Sequence, residues 1–407
     1  MTLHACRSVF VLNSLSVGGA ERQVVALLNG LARAPHQGAH HVTLACLKAG
    51  EALRPQLDPL ACEGGLHTLG VDRGLDLGAA RRLARLFDAQ RPDVALCTNP
   101  YALLYAALAR RWMRHAPPAL VEVFHTTAPG SRKEAWSMPL YRTLVRQCDL
   151  LVYVCEAQAA YWRARRWRAA REAVIHNGVD ASRFALAPPP SAHGEALALR
   201  QRHGLEACDV VVGVCAVMRP EKAHRDLLQA LARLAPRHPR VRALLIGDGP
   251  ERAGIEREVQ RLGLEGRVRI TGLLDDVRPA LAACDVLAIT SRAVETFSMA
   301  ALEAMALGRA LVMSEVGGAR EQVVPGLTGW LYPAGDVQAL SACLDVAATD
   351  LANTHRMGQA AARLVRERFT EPSMVASYAS ALGQLAAARR RTPGDRPASW
   401  PGLRGPS

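Results

Sequence analysis

Residues 285–308 read DVLAITSRAVETFSMAALEAMALG. DVLAITS is a short apolar run of strand length, and TFSMAALEAMAL has helical composition, with Thr296 or Ser298 as its cap and Gly308 as its stop. The stretch is therefore strand, loop, helix. Glu295 falls on the loop at the carboxyl end of the strand, and Glu303 falls inside the helix, about two turns in. The backbone N–H groups of Phe297, Ser298 and Met299 at the helix start are expected to be free to meet an anion. An ordinary helix carries two glutamates by chance, so the pair counts as a site only if its surroundings supply a ligand that needs it.

Working outward, the same alternation of strand and helix fills the chain. SVFVLNSL, HVTLACL, DVALCTN, ALVEVFHT, DLLVYVC and AVIHNG mark strands in the first half, with helices between several of them. DVVVGVCAV, VRALLIGDG, RVRITG, DVLAITS and RALVMSE repeat the pattern after the proline-rich APPPSAHGEA at 187–196. Such alternation is the mark of βαβ units around a parallel sheet, so the fold class is α/β, with two Rossmann-like doubly wound domains on either side of a linker. Ligands of such sheets bind beyond the carboxyl ends of the strands, and two of them facing each other would enclose a cleft.

At 407 residues, half of them hydrophobic, the chain has the length and composition of two soluble globular domains. Its ten cysteines are scattered, with no C-x-x-C pair, and read as reduced core residues of a cytoplasmic protein rather than as disulfides or a zinc site. The N-terminal MTLHACRSVFVLNSL reads as a first strand and not a signal peptide, and no apolar run reaches the ~18 residues of a membrane span. The net charge of +13 lies in arginine-rich helical stretches such as YWRARRWRAAR at 161–171. Either these are solvated faces, or they draw the protein to anionic lipid at the inner face of a membrane; no nucleic-acid signature accompanies them.

The second half carries the densest chemistry. In VCAVMRPEKAH, Arg219 and Lys222 stand three residues apart between a strand and a helix, a placement that suits a pyrophosphate and equally describes two solvated charges. In LLIGDGPE, Gly247 and Gly249 let backbone approach a base or ribose, although a glycine turn after a strand is common. Carboxylates such as Glu295 and Glu303 beside an anion site make sense when they accept hydrogen bonds from the hydroxyls of the same ligand, the layout of a sugar nucleotide. In the first half, Gly18 and Gly19 follow the first strand without forming G-x-G-x-x-G, and His125 ends another strand, where it is either structural or a contact to a transferred group.

Together GGAER (18–22), HNGVD (176–180), RPEKAH (219–224), LLIGDGPER (244–252), the E-x7-E stretch 295–303 and SEVGGAREQVVPGLTGWLYPAGD (314–336) resemble the family-4 retaining glycosyltransferases of GT-B fold, in the order seen there. The resemblance runs to about residue 385. It implies an N-terminal acceptor-binding domain at 1–185, a linker at 186–205 and a nucleotide-sugar-binding domain at 206–366. A helix at 367–388 would cross back to the first domain, and the Pro/Gly/Arg-rich tail 389–407 reads as disordered. It implies that Arg219 and Lys222 bind the donor diphosphate with Phe297, Ser298 and Met299, that Glu303 binds the ribose and Glu295 the sugar, that Gly18 and Gly19 lie near phosphate and acceptor, and that His125 reaches the sugar.

The implied activity is transfer of a sugar, with retention, from a nucleoside diphosphate sugar to a hydroxyl of a saccharide or lipid-linked acceptor, in bacterial exopolysaccharide, lipopolysaccharide or glycolipid synthesis. No cofactor and no metal are expected, and the chain lacks a D-x-D motif. The alternatives are a sugar-nucleotide epimerase or hydrolase on the same scaffold, or a non-catalytic subunit of a polysaccharide assembly complex. Three departures from the family pattern affect loop geometry: Ala223 for the usual Gly after the lysine, Thr290 where Pro is common, and His176 for the usual Pro before Asn-Gly.

Overall fold

The computed structural model describes residues 5–16, 18–33, 40–72, 74–127, 132–185 and 190–390. Among them the first sheet comprises β1 (Cys6–Leu12), β2 (His40–Cys46), β3 (Leu66–Thr68), β4 (Val94–Thr98), β5 (Ala119–Phe124), β6 (Leu150–Tyr153) and β7 (Glu172–Val174). The second comprises β8 (Val210–Cys215), β9 (Val241–Ile246), β10 (Val268–Gly272), β11 (Val286–Ile289), β12 (Ala310–Ser314) and β13 (Gly329–Tyr332). The order is β3-β2-β1-β4-β5-β6-β7 in one and β10-β9-β8-β11-β12-β13 in the other. Neighbouring strands run parallel; Phe10 of β1, for example, lies between Leu44 of β2 and Leu96 of β4. Central strands such as β4 and β8 are almost wholly apolar because helices cover both faces.

In both sheets the winding reverses between the first strand and the fourth, beside β1 and β4 in one and beside β8 and β11 in the other. The connections leave there toward opposite faces of the sheet, so the strand ends open a crevice.

The first unit runs to Gly178 and resumes at Glu371; the second is Val179–Thr370. In the first, the arginine-rich stretch is anchored by its tryptophans. Trp162 and Trp167 are buried, their rings 4.4 Å apart, and Trp167 stacks on Phe124. Arg163, Arg165, Arg166 and Arg168 between and beside them stay exposed. The final helix, Glu371–Arg390, also belongs to this unit, where it packs on the helix Gly19–Arg33 and on β1. Gly30 permits that approach, since a β-carbon there would sit 2.3 Å from Val375 Cγ2.

Two boundaries differ from those expected. Of the presumed linker, residues 186–189 lie outside the described residues, while Pro190–Arg202 form a helix that packs on the helix Arg278–Ala282 of the second unit. The helix formers of EALALRQR carry the helix, and Pro190 stands at its first position, where a proline is tolerated. The chain passes between units at Gly178–Val179 instead. At the other end, Leu351–Arg368 stays with the second unit, and Arg389 and Arg390 close the final helix; the rest of the expected tail is outside the described residues. No helix among the described residues is long and apolar enough to cross a membrane.

Candidate active site

The chain leaving β8 makes one turn of 3-10 helix at Pro220–Lys222, passes through Ala223 in the left-handed region (φ 47°), and enters the helix His224–Leu234. Arg219 projects from the start of that turn and is exposed, whereas Lys222 is partly enclosed. The chain leaving β11 runs beside it. Lys222 Nζ donates to Glu295 Oε2 at 2.7 Å, so the cation and carboxylate on either side of the winding reversal form one ion pair. Ser291 Oγ donates to the same carboxylate oxygen at 2.9 Å, and Ser314 Oγ donates to Ser291 O at 2.6 Å. The Glu295 side chain, 12% exposed, is thus held from two sides, in an environment that strengthens charge-assisted hydrogen bonds.

The helix of the E-x7-E stretch is Met299–Ala306, capped by Ser298, whose hydroxyl accepts from Ala301 N–H at 3.3 Å. Glu303 is buried little more than one turn in. Of the three amides expected to be free at this helix start, one is engaged. The Ser298 N–H is already taken by Gln322 Oε1 at 2.9 Å, and Gln322 Nε2 donates back to Ser298 O at 2.9 Å. Gln322 is fully buried, and its amide bonds both polar backbone groups of that residue. Phe297 is buried with its ring against Phe369. The helix start presents its half-exposed first residues, Met299 and Ala300, at the anion-attracting end of the dipole.

Gly247 and Gly249 also turn out to serve a different contact. A β-carbon on Gly247 would sit 2.3 Å from Ala216 O, and one on Gly249 2.6 Å from Met218 O. The loop after β9 is pressed onto the loop after β8, with Met218 N–H donating to Asp248 O and Glu251 N–H to Met218 O, both at 2.9 Å. The glycines are there so that backbone can meet backbone, and a ligand is not needed to explain them.

In the first unit, Gly18 precedes the helix Gly19–Arg33, and a β-carbon on it would strike the Glu21 carboxylate of that helix, whereas Gly19 faces open space. His125 follows β5. Its N–H donates to Asn99 Oδ1 at 3.2 Å, and the residues around it are pinned by Gln158 Nε2 to Phe124 O (2.6 Å) and by Trp162 Nε1 to Thr126 O (2.8 Å). Burial pushes the imidazole pKa down to about 4, so the ring is neutral at pH 7. Among the described residues no group of His, Cys, Asp and Glu is gathered to hold a metal ion.

Residues 17–183 match the family model described as Glycosyltransferase Family 4, and residues 209–350 the model described as Glycosyl transferases group 1. The chain belongs to the family-4, group 1 glycosyltransferases. Among its relatives are the GDP-mannose-dependent alpha-mannosyltransferase of Mycobacterium tuberculosis, 29% identical over 74% of this chain and 72% of that protein, and the D-inositol 3-phosphate glycosyltransferase of Kribbella flavida, 30% identical over 54% and 53%. The solved structure of Anabaena HepE in complex with UDP and glucose superposes with a TM-score of 0.79 at 25% identity, over 93% of this chain and 99% of that one. The fold is GT-B.

Of the residues singled out from the sequence of this transferase, Lys222 and Glu295 are in direct contact, Arg219 adjoins them on the same turn, and Glu303 lies on the helix that follows. Gly18, Gly19 and His125 belong to the first unit, at strand ends of the other sheet. Sequence reasoning missed Gln322, Ser291 and Ser314 in the second unit, and Asn99, Gln158 and Trp162 in the first. Gln322 stands in GGAREQ, inside a stretch that already carried the resemblance, but nothing local announces that its amide reaches back 24 residues.

Proposed function

We propose that this glycosyltransferase moves a sugar from a nucleoside diphosphate sugar to a hydroxyl of a saccharide or lipid-linked acceptor, with retention at the anomeric carbon and without a metal ion. The observation that carries this reading is the Lys222–Glu295 pair at the winding reversal of the second sheet, beside the start of the helix Met299–Ala306. Breaking a glycosidic bond to a diphosphate leaves negative charge on the departing phosphate. Lys222, Arg219 and the first turn of that helix stabilise that charge where it develops, which is electrostatic catalysis by groups already in place.

Glu295 has two tasks in this scheme: it fixes the Lys222 ammonium, and its remaining acceptor capacity meets a sugar hydroxyl. Glu303 accepts from the ribose. His125 of the first unit, neutral at pH 7, carries a ring that both donates and accepts, which suits a sugar hydroxyl. HepE binds UDP and glucose, which supports a nucleotide sugar as donor. The exposed arginines at 163–168 favour an acceptor at an anionic membrane surface, inside the cell.

The test is a panel of UDP-, GDP- and ADP-sugars, assayed by thermal shift and then for transfer in the presence of a chelator. One nucleotide series raises the melting temperature and supports turnover with chelator present. Donor consumed at full rate without acceptor would assign hydrolysis or epimerisation instead.

A further inference from the structure

Ala223 is the weak point of the turn that carries Lys222. With φ 47° and ψ 44° it occupies the left-handed region while bearing a β-carbon, a conformation that costs an L-residue free energy and that glycine adopts without it. The residue is buried and opens the helix His224–Leu234, so the turn is kept in spite of this cost. Within the turn Ala223 N–H donates to Pro220 O at 3.1 Å, and further ties come from outside it.

These outer ties come from the end of β11. Thr290, 2% exposed, donates its Oγ1–H to Lys222 O at 2.6 Å. That carbonyl belongs to the peptide joining Lys222 to Ala223, the unit whose plane must rotate if Ala223 leaves the left-handed region. Two residues on, Arg292 N–H donates to Glu221 O at 3.0 Å. The Arg292 guanidinium clasps the buried Asp226 in the first turn of the next helix, at 2.8 and 2.6 Å. A valine at 290 would keep the shape and lose the hydroxyl. A glycine at 223 would adopt the turn unaided.

We propose that Thr290 is a positioning residue for Lys222: its hydroxyl holds the Lys222–Ala223 peptide in a left-handed turn that the β-carbon of Ala223 disfavours. The two departures from the family pattern on these loops, Ala for Gly at 223 and Thr for Pro at 290, therefore meet at one peptide and compensate each other. The proposal rests on the reading of Lys222 as the cation for the leaving diphosphate. Thr290 itself touches no substrate.

The experiment is a double-mutant cycle on the full chain: wild type, Thr290→Val, Ala223→Gly and the double variant, with Thr290→Ser as the conservative control. Each is assayed for kcat, donor KM and melting temperature. Thr290→Val lowers kcat about tenfold with a smaller change in KM, because a transition-state contact is displaced and ground-state binding is less affected. Thr290→Ser keeps wild-type turnover, and Ala223→Gly does likewise. Combined with Ala223→Gly, the valine costs less than about threefold, since the turn no longer needs the hydroxyl. If Thr290→Val does not fold, the double variant must fold and transfer.

An equal loss with and without Ala223→Gly, a Thr290→Val enzyme as fast as wild type, or a double variant that fails to fold overturns the proposal. Lys222→Ala in the same assay separates it from the reading beneath it. If that variant turns over normally, the role given to Lys222 is what fails. If it is inactive while the cycle shows no coupling, only the role given to Thr290 fails.

Discussion

The two sheets wind in the same order, yet their reversal points are furnished differently. Beside β8 and β11 stand Arg219, Lys222 and Glu295, and the two loops are tied by Thr290 to Lys222 O, Arg292 to Glu221 O and Asp226, and Lys222 to Glu295. Beside β1 and β4 the described groups include neutral polar ones: Ser14 donates to Ser16, and Asn99 holds the backbone of a neutral His125, while the carboxylate of Glu21 stands in the first turn of the helix after β1. One scaffold thus carries an ion pair braced for charge in one unit and polar groups suited to hydroxyls in the other. Winding order sets where ligands go; the residues at the strand ends set which chemistry is done there.

The largest effect should come from the charged end. Lys222→Ala is expected to lower kcat by a factor of about 10² or more while the protein still melts cooperatively, as loss of a preorganised charge stabiliser does; steady-state kinetics with the identified donor checks this. Removing a neutral group from the other reversal point, by Asn99→Ala, should cost transfer less than Lys222→Ala. If the two losses were equal, the contrast between the units would break.

Gly249→Ala should come next, with a loss of about 2 kcal/mol of stability, because the β-carbon forces apart loops whose backbones touch. Chemical denaturation of the variant measures it, and an unchanged midpoint would return Gly249 to the role of a ligand contact. Gln322→Leu should cost about 2 kcal/mol by leaving the backbone of Ser298 without its side-chain partner in a buried setting. It should also weaken donor binding, since the helix start loses its brace; donor affinity unaltered beside lower stability would make Gln322 purely structural.

The smallest effect is a pH dependence. Burial, aided by the charge of Lys222, holds the His224 ring at a pKa of about 4, against 6.5 when unfolded. Between those values the unfolded chain binds the extra proton, so stability is constant above about pH 6.5 and falls as pH drops toward 4. The loss is about 1 kcal/mol between pH 7 and 5.5 for this one histidine. Denaturant midpoints over that range should fall less steeply in His224→Leu than in wild type. Equal slopes would mean that His224 does not resist protonation in the fold.

Most of the architecture was legible because periodicity and caps are local. β11, its loop, and a helix capped at Thr296 or Ser298 and ended before Gly308 were all readable within 285–308, as was the separation of Glu295 from Glu303; the structure puts the cap at Ser298. What the sequence could not display were pairings between distant residues. Thr290 registered only as a departure from a pattern, and its bond to Lys222 spans 68 residues. Gln322 occupies an amide that a local reading leaves open. Gly247 and Gly249 were visible, but whether a glycine admits a ligand or a neighbouring loop depends on where Ala216 and Met218 lie in space. The helix Pro190–Arg202 was masked by the prolines before it.

The central claim is that the second unit binds a diphosphate at Lys222 and the adjoining helix start. Calorimetric titration of wild type and Lys222→Ala with UDP, GDP and ADP tests it most directly. The account predicts that one of the three binds the wild type and binds the variant at least tenfold more weakly, a difference of about 1.4 kcal/mol. Equal affinity for the two proteins, or no binding of any of the three to wild type, would contradict it.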